Sequence, residues 1–190
     1  VQEPEPVQAG DDKSKKTSLV KEIISWVKVF AAAFVVAILL NTFILANAIV
    51  PTGSMEDTVP AGSRIFGIRL YYMFEEPKRG DIVIFKYPDD ESVNYLKRII
   101  GEPGDHIEIV DGKVYINGST EPLAEDYLDV EPYGDFGPYD VPEGCYFMMG
   151  DNRNYSLDSR FWDNTYVKEE KLVAKAFVMY YPKLQWLFDK

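Results

Sequence analysis

With 190 residues, 46% of them apolar, the chain has enough material for one ordinary core plus an accessory segment. A single cysteine and a single histidine exclude an internal disulfide framework and a zinc site of the usual Cys/His kind. The net charge of −11 lies downstream, because residues 1–47 balance five lysines against five acids; an acidic body of this kind disfavours nucleic acid as a partner.

Residues 1–22 begin as a polar stretch rich in Pro, Glu and Lys and read as a disordered tail. Residues 23–47 come next as a transmembrane anchor. Val29 to Leu40 is unbroken apolar sequence, and the run continues to Val50 with only Asn41, Thr42 and Asn47 as polar interruptions. As a helix it rises roughly 33 Å, enough to cross a bilayer core. Five lysines precede it, Lys13, Lys15, Lys16, Lys21 and Lys28, whereas Glu56 and Asp57 come before the next basic residue, Arg64. That asymmetry predicts a cytoplasmic N-terminus and a body, residues 48–190, on the extracytoplasmic face. Ala46-Asn47-Ala48 has the form of an export-signal cleavage site, but the apolar core is longer than the usual signal core and a polar tail precedes it, so the run is read as a retained anchor.

After the anchor the periodicity changes to short β-type runs over 64–71, 81–87, 93–100, 106–110, 113–116, 146–149 and 174–181, nearly all bounded by turn residues. The fold class expected is mainly β: an antiparallel catalytic domain behind one N-terminal transmembrane helix. Asp111-Gly112 predicts a two-residue hairpin turn with positive φ at both centres. Residues 166–173 read as the one helical segment. Residues 117–144, with eight acids and no Lys or Arg, read as an excursion from the sheet, either a lid over a cleft or an exposed loop.

Three segments carry chemistry. Ser54, in Pro-Thr-Gly-Ser-Met (51–55), comes after a glycine that permits an unusual dihedral or a close approach, so its amide can face a carbonyl while the Thr52 hydroxyl adds a second donor. Lys97 lies on a strand whose alternation places Tyr95, Lys97 and Ile99 on one face and Leu96, Arg98 and Ile100 on the other, an apolar setting that suits a neutral amine. A lysine replaces imidazole as base only if its pKa falls by roughly 2 units. The third segment, residues 149–160, is dense in polar groups; Asp158 and Arg160 are spaced to pair, and the Ser156 hydroxyl could orient an amine. Read singly, each has a bland alternative: a structural turn, a surface lysine, a well-bonded loop.

Taken together, Pro-Thr-Gly-Ser-Met (51–55), Arg-Gly-Asp-Ile-Val-Ile-Phe (79–85), Tyr-Leu-Lys-Arg-Ile-Ile-Gly-Glu-Pro-Gly-Asp (95–105) and Gly-Asp-Asn-Arg-Asn-Tyr-Ser-Leu-Asp-Ser-Arg (150–160) resemble the type I signal peptidases, membrane-bound Ser/Lys proteases, over roughly residues 23–182. The short tail and single span look like the Gram-positive-type members. The resemblance implies Ser54 as nucleophile, Lys97 as general base, Thr52 and the Ser54 amide as oxyanion donors, Ser156 as partner of the amine, and Asp158 and Arg160 as support. It implies exported preproteins as substrates, cut after small residues in an Ala-x-Ala pattern; the apolar span itself gives the lipid bilayer as surroundings, and nothing in the sequence points to a metal or other cofactor, although a carboxylate-bound metal is left open. An extended substrate would add as a strand, with Ile49, Val50, Asn94, Tyr95 and Leu96 as the expected edges. Asp57 stands where many members have proline, and Gly62-Ser63 where many have Gly-Asp. A cytosolic serine/lysine autoprotease is disfavoured by the anchor. A catalytically dead relative is disfavoured by the presence of both Ser54 and Lys97.

Overall fold

The computed structural model describes residues 11–56 and 58–188, the side chains of residues 11–18 and 20 excepted. The first ten residues of the expected tail, and Asp57, therefore lie outside the described residues. The chain divides into two units, residues 1–42 and 43–190.

The first unit is a helix, α1, at Asp11–Leu39, continued by a π-helical turn at Leu40–Ile44. Helix thus begins inside the segment read as tail, since extending a nucleated helix costs far less than starting one. Lys21–Ile44 is long and apolar enough to cross a membrane, and its side chains, among them Phe30 and Phe34, are exposed. The helical part of the apolar run stops earlier than its hydropathy suggests. Asn41 and Thr42 fall in the π turn, and Leu45–Ile49 forms a strand, β1, because its main chain finds a ladder partner in β2, at Arg64–Ile68. Ala46, the first residue of the apparent cleavage site, is buried in that strand.

The second unit continues with β3 (Ile82–Tyr87), β4 (Asp90–Gly101), β5 (His106–Val110), β6 (Lys113–Ile116), β7 (Phe136–Asp140), β8 (Cys145–Met149), β9 (Val167–Lys168), β10 (Leu172–Tyr181) and β11 (Gln185–Trp186). The larger sheet runs β1-β2-β10-β3-β4-β8-β9, with β11 on β10, and the smaller runs β6-β5-β7; every ladder is antiparallel. The strand alternation separates two apolar clusters across β3: Ile82 and Ile84 pack with Met55, Ile65 and Met179, and Val83 and Phe85 with Ile99, Met148 and Trp162. A third cluster of Ile100, Ile107, Val114 and Phe147 joins the small sheet to the large one.

The expected turn at Asp111-Gly112 has φ values of 49° and 77° and closes the β5–β6 hairpin. The helix expected over 166–173 is corrected: Val167–Lys168 pairs with β8, one 3₁₀ turn comes next at Glu169–Lys171, and Leu172 opens β10. A segment this short is marginal as an isolated helix, and pairing that buries Val167 outweighs its propensity. The excursion 117–144 is not structureless, because it contributes β7 to the small sheet.

Candidate active site

Ser54 is placed by its C-terminal neighbours. Met55 is fully buried in the first apolar cluster, and the turn is closed by the Glu56 amide on the Gly53 carbonyl at 3.0 Å and the Val59 amide on the Met55 carbonyl at 2.7 Å. The half-buried Ser54 is thus held at the surface of the core, with its hydroxyl accepting a 3.4 Å contact from Thr52 Oγ1. The unusual dihedral expected at Gly53 is absent, since Gly53 is not among the residues of positive φ. A Cβ there would meet only the flexible Glu56 side chain, whose carboxylate oxygen would be 2.5 Å away.

The other wall of this loop is the 150–153 segment just after β8. The Asn152 amide donates to the Ser54 carbonyl at 3.1 Å, and Asn152 Nδ2 to the Gly53 carbonyl at 2.9 Å. Gly150 has no room for a side chain, because a Cβ would collide with the Ser54 carbonyl oxygen and with Ser156. Sequence reasoning passed over Gly150 and Asn152, although both stand in a run already singled out for its polarity.

Lys97 is 3% exposed on β4, opposite Val83. Its Nζ lies 5.8 Å from the centroid of Tyr95, a ring that packs with Ile99, as the strand alternation expects; on the other side Leu96 packs in the first cluster and Arg98 pairs with Asp151. No ion pair reaches Lys97 among the described residues. Burial lowers its pKa from 10.5 to about 8, against the pull of Asp158 and Asp151 and with the help of Arg160. Neutral amine is therefore abundant near pH 8.

Ser54 and Lys97 line one cavity of about 490 Å³ together with Thr52 and with all five expected edge residues, Ile49, Val50, Asn94, Tyr95 and Leu96. Ladder geometry leaves edges free around it. Among the described residues β1 has a partner on one side only, and the 94–97 part of β4 pairs with β3 but not with β8, which takes up Arg98, Ile99 and Gly101. Tyr155 and Leu157, both exposed, line the cavity as well and had no sequence signal beyond their neighbours. No described residue of 117–144 lines it.

Asp158 and Arg160 form the expected pair, with Arg160 Nε and Nη2 donating to the carboxylate at 2.8 and 2.9 Å. Asp158 also accepts the Gly150 amide at 3.0 Å. Ser156 is buried near Gly150, but among the described residues its hydroxyl has no hydrogen-bond partner, the lysine amine included. Beneath the site Arg98 lies bidentate on Asp151, at 2.9 and 2.6 Å, with both side chains almost fully buried. Among the described residues no His/Cys/Asp/Glu cluster could hold a metal ion.

A family model described as signal peptidase, peptidase S26, matches residues 23–181. The chain is 42% identical over 156 residues to signal peptidase I of Bacillus licheniformis, covering 78% of this chain and 83% of that protein. It is 38% identical over 177 residues to signal peptidase I S of Bacillus subtilis, covering 88% and 95%. With the probable signal peptidase I-2 of Synechocystis it shares 37% identity over 160 residues, covering 82% and 72%. The chain belongs to the signal peptidase family, peptidase S26.

Proposed function

We propose that this protein removes N-terminal signal peptides from exported preproteins, cutting after small residues of Ala-x-Ala type through a Ser54/Lys97 dyad. The observation that carries the reading is the shared cavity, in which a half-buried serine and a buried lysine with a pKa near 8 stand without a histidine. Neutral Lys97 takes the Ser54 proton as Oγ attacks the scissile carbonyl. The developing oxyanion is held by the Ser54 amide and the Thr52 hydroxyl, and an ester forms between Ser54 and the signal peptide. The Lys97 ammonium returns its proton to the leaving amine of the mature chain. Water, deprotonated by the same amine, then hydrolyses the ester.

The free edges of β1 and β4 support an extended substrate lying as a strand between them, with backbone hydrogen bonds for affinity and the apolar floor of Ile65 and Ile84 for small side chains. Asp158 and Arg160 support the lysine side of the site through their opposing charges on its amine. The lysines before the apolar helix support a cytoplasmic N-terminus and catalysis on the outer face of the cell membrane, beside the bilayer that carries the substrate's own apolar segment.

The deciding experiment is cleavage, by the full chain in detergent and lipid, of a precursor with Ala at the first and third positions before the cut, compared with Ser54→Ala and Lys97→Ala. Both variants should be inactive. Cleavage by either one would remove that residue from the mechanism.

A further inference from the structure

The excursion 117–144 stays out of the cavity yet reaches the loop behind it. Arg153, whose side chain is 1% exposed, is gripped by both oxygens of Glu125: Nη1 donates to Oε2 at 2.8 Å and Nη2 to Oε1. The same guanidinium donates to the Gly150 carbonyl at 3.1 Å and to the Tyr127 hydroxyl at 3.2 Å, while the Arg153 carbonyl accepts from Arg160 at 2.6 Å. The Tyr127 ring in turn lies 3.8 Å from the Arg98 guanidinium. A further tie joins the Asn154 side chain to the excursion at Glu131 and Tyr133.

Between these clamps sits the Gly150–Arg153 stretch, whose other side touches Ser54 through the Asn152 amide and the tight Gly150 contact. From this arrangement we infer that Glu125 is a positioning residue for the nucleophile: by fixing Arg153 it holds the 150–153 backbone against the Ser54 carbonyl. The inference rests on the proposed role of Ser54. Without the carboxylate, a buried guanidinium loses its bidentate partner and must turn toward water or another carboxylate, and the backbone it holds moves with it. The edge residues Ile49, Val50, Asn94, Tyr95 and Leu96 take no part in the hydrogen bonds of Glu125 and Arg153, so binding at those edges should be spared.

The test uses the full chain in detergent, the same Ala-x-Ala precursor, and rates normalised to folded protein. Glu125→Gln should lower kcat about tenfold or more while KM changes less than twofold, because a displacement well under 1 Å at a reacting atom is felt in kcat. If that variant does not fold, Glu125→Asp, which keeps the charge but shortens the reach, should still lower kcat about threefold with KM unchanged. A kcat unchanged per folded molecule in the variant that folds, with only a lower melting temperature, overturns the inference, as does a rise in KM alone. An intact chain that leaves the precursor uncut overturns the proposed reaction and this inference with it, whereas an active parent that is silenced by Ser54→Ala isolates the question of Glu125.

Discussion

The Asn152 amide donates to the Ser54 carbonyl at 3.1 Å, so the nucleophile of the proposed reaction is held from behind by a loop almost a hundred residues away in the chain. Lys97 does not touch that loop by any hydrogen bond among the described residues, and meets Ser54 only across the cavity that both line. The nucleophile and the base of the proposed reaction are thus located by different parts of the fold, one by a pair of loops and the other by β4, and the consequences can be measured separately.

Gly150→Ala should lower kcat about a hundredfold, since its Cβ must displace either the Ser54 carbonyl or Ser156, and misplacement by about 1 Å can cost that much. Steady-state kinetics on the precursor, with circular dichroism to certify the fold, check it. Parental kcat would mean that the Ser54 loop tolerates the shift.

Cleavage should rise with pH along a limb centred near 8, because only the neutral Lys97 amine accepts the Ser54 proton. The same depression predicts a stability effect of opposite sense. The folded-state value lies below the ordinary 10.5, so folding is penalised by the charged amine, fully below about pH 8 and no longer above about 10.5. Lys97→Met should therefore be inactive yet more stable at pH 7, by up to about 3 kcal/mol, with the gain shrinking toward pH 10.5. Urea unfolding at the two pH values decides; a variant less stable at pH 7 would contradict the burial argument.

Asp158→Asn should move the acid limb of cleavage to lower pH. The carboxylate favours the charged amine, and its removal also leaves the opposing Arg160 charge unbalanced. Arg160→Gln should move the limb the other way. Parallel pH–rate profiles test both signs, and limbs that coincide with the parent's would detach the pair from the lysine.

Asp151→Ala should destabilise the domain by about 3–5 kcal/mol, because it removes the bidentate partner of an Arg98 that has no exposed surface. The unfolding midpoint in urea reads this directly. A change under about 1 kcal/mol would place the pair among ion pairs of surface strength.

The strands β2, β3, β4, β5, β6, β8 and β10, the hairpin turn at Asp111-Gly112 and the apolar helix are legible in the sequence because each depends on local periodicity or on a residue's own dihedral range. Ser54 and Lys97 are singled out by their neighbours but receive their expected roles only from the combined resemblance of four segments, since each alone has a bland alternative. The departures share a different cause. Residues 45–47, at the end of the expected anchor, carry a character fit for either a span or a strand, and only the ladder with Arg64–Ile68 selects the strand; residues 166–173 lost a weak helical pattern to pairing with β8. Likewise Glu125 and Tyr127, two acidic-loop residues without local signature, acquire their place only when the fold brings them to Arg153 and Arg98. Composition and spacing determined which groups this protein has available for chemistry and that it carries a membrane-length helix; tertiary structure alone decided which of those groups share a cavity and how far the lysine's charge is suppressed, because proximity and desolvation arise from packing between segments distant in the chain.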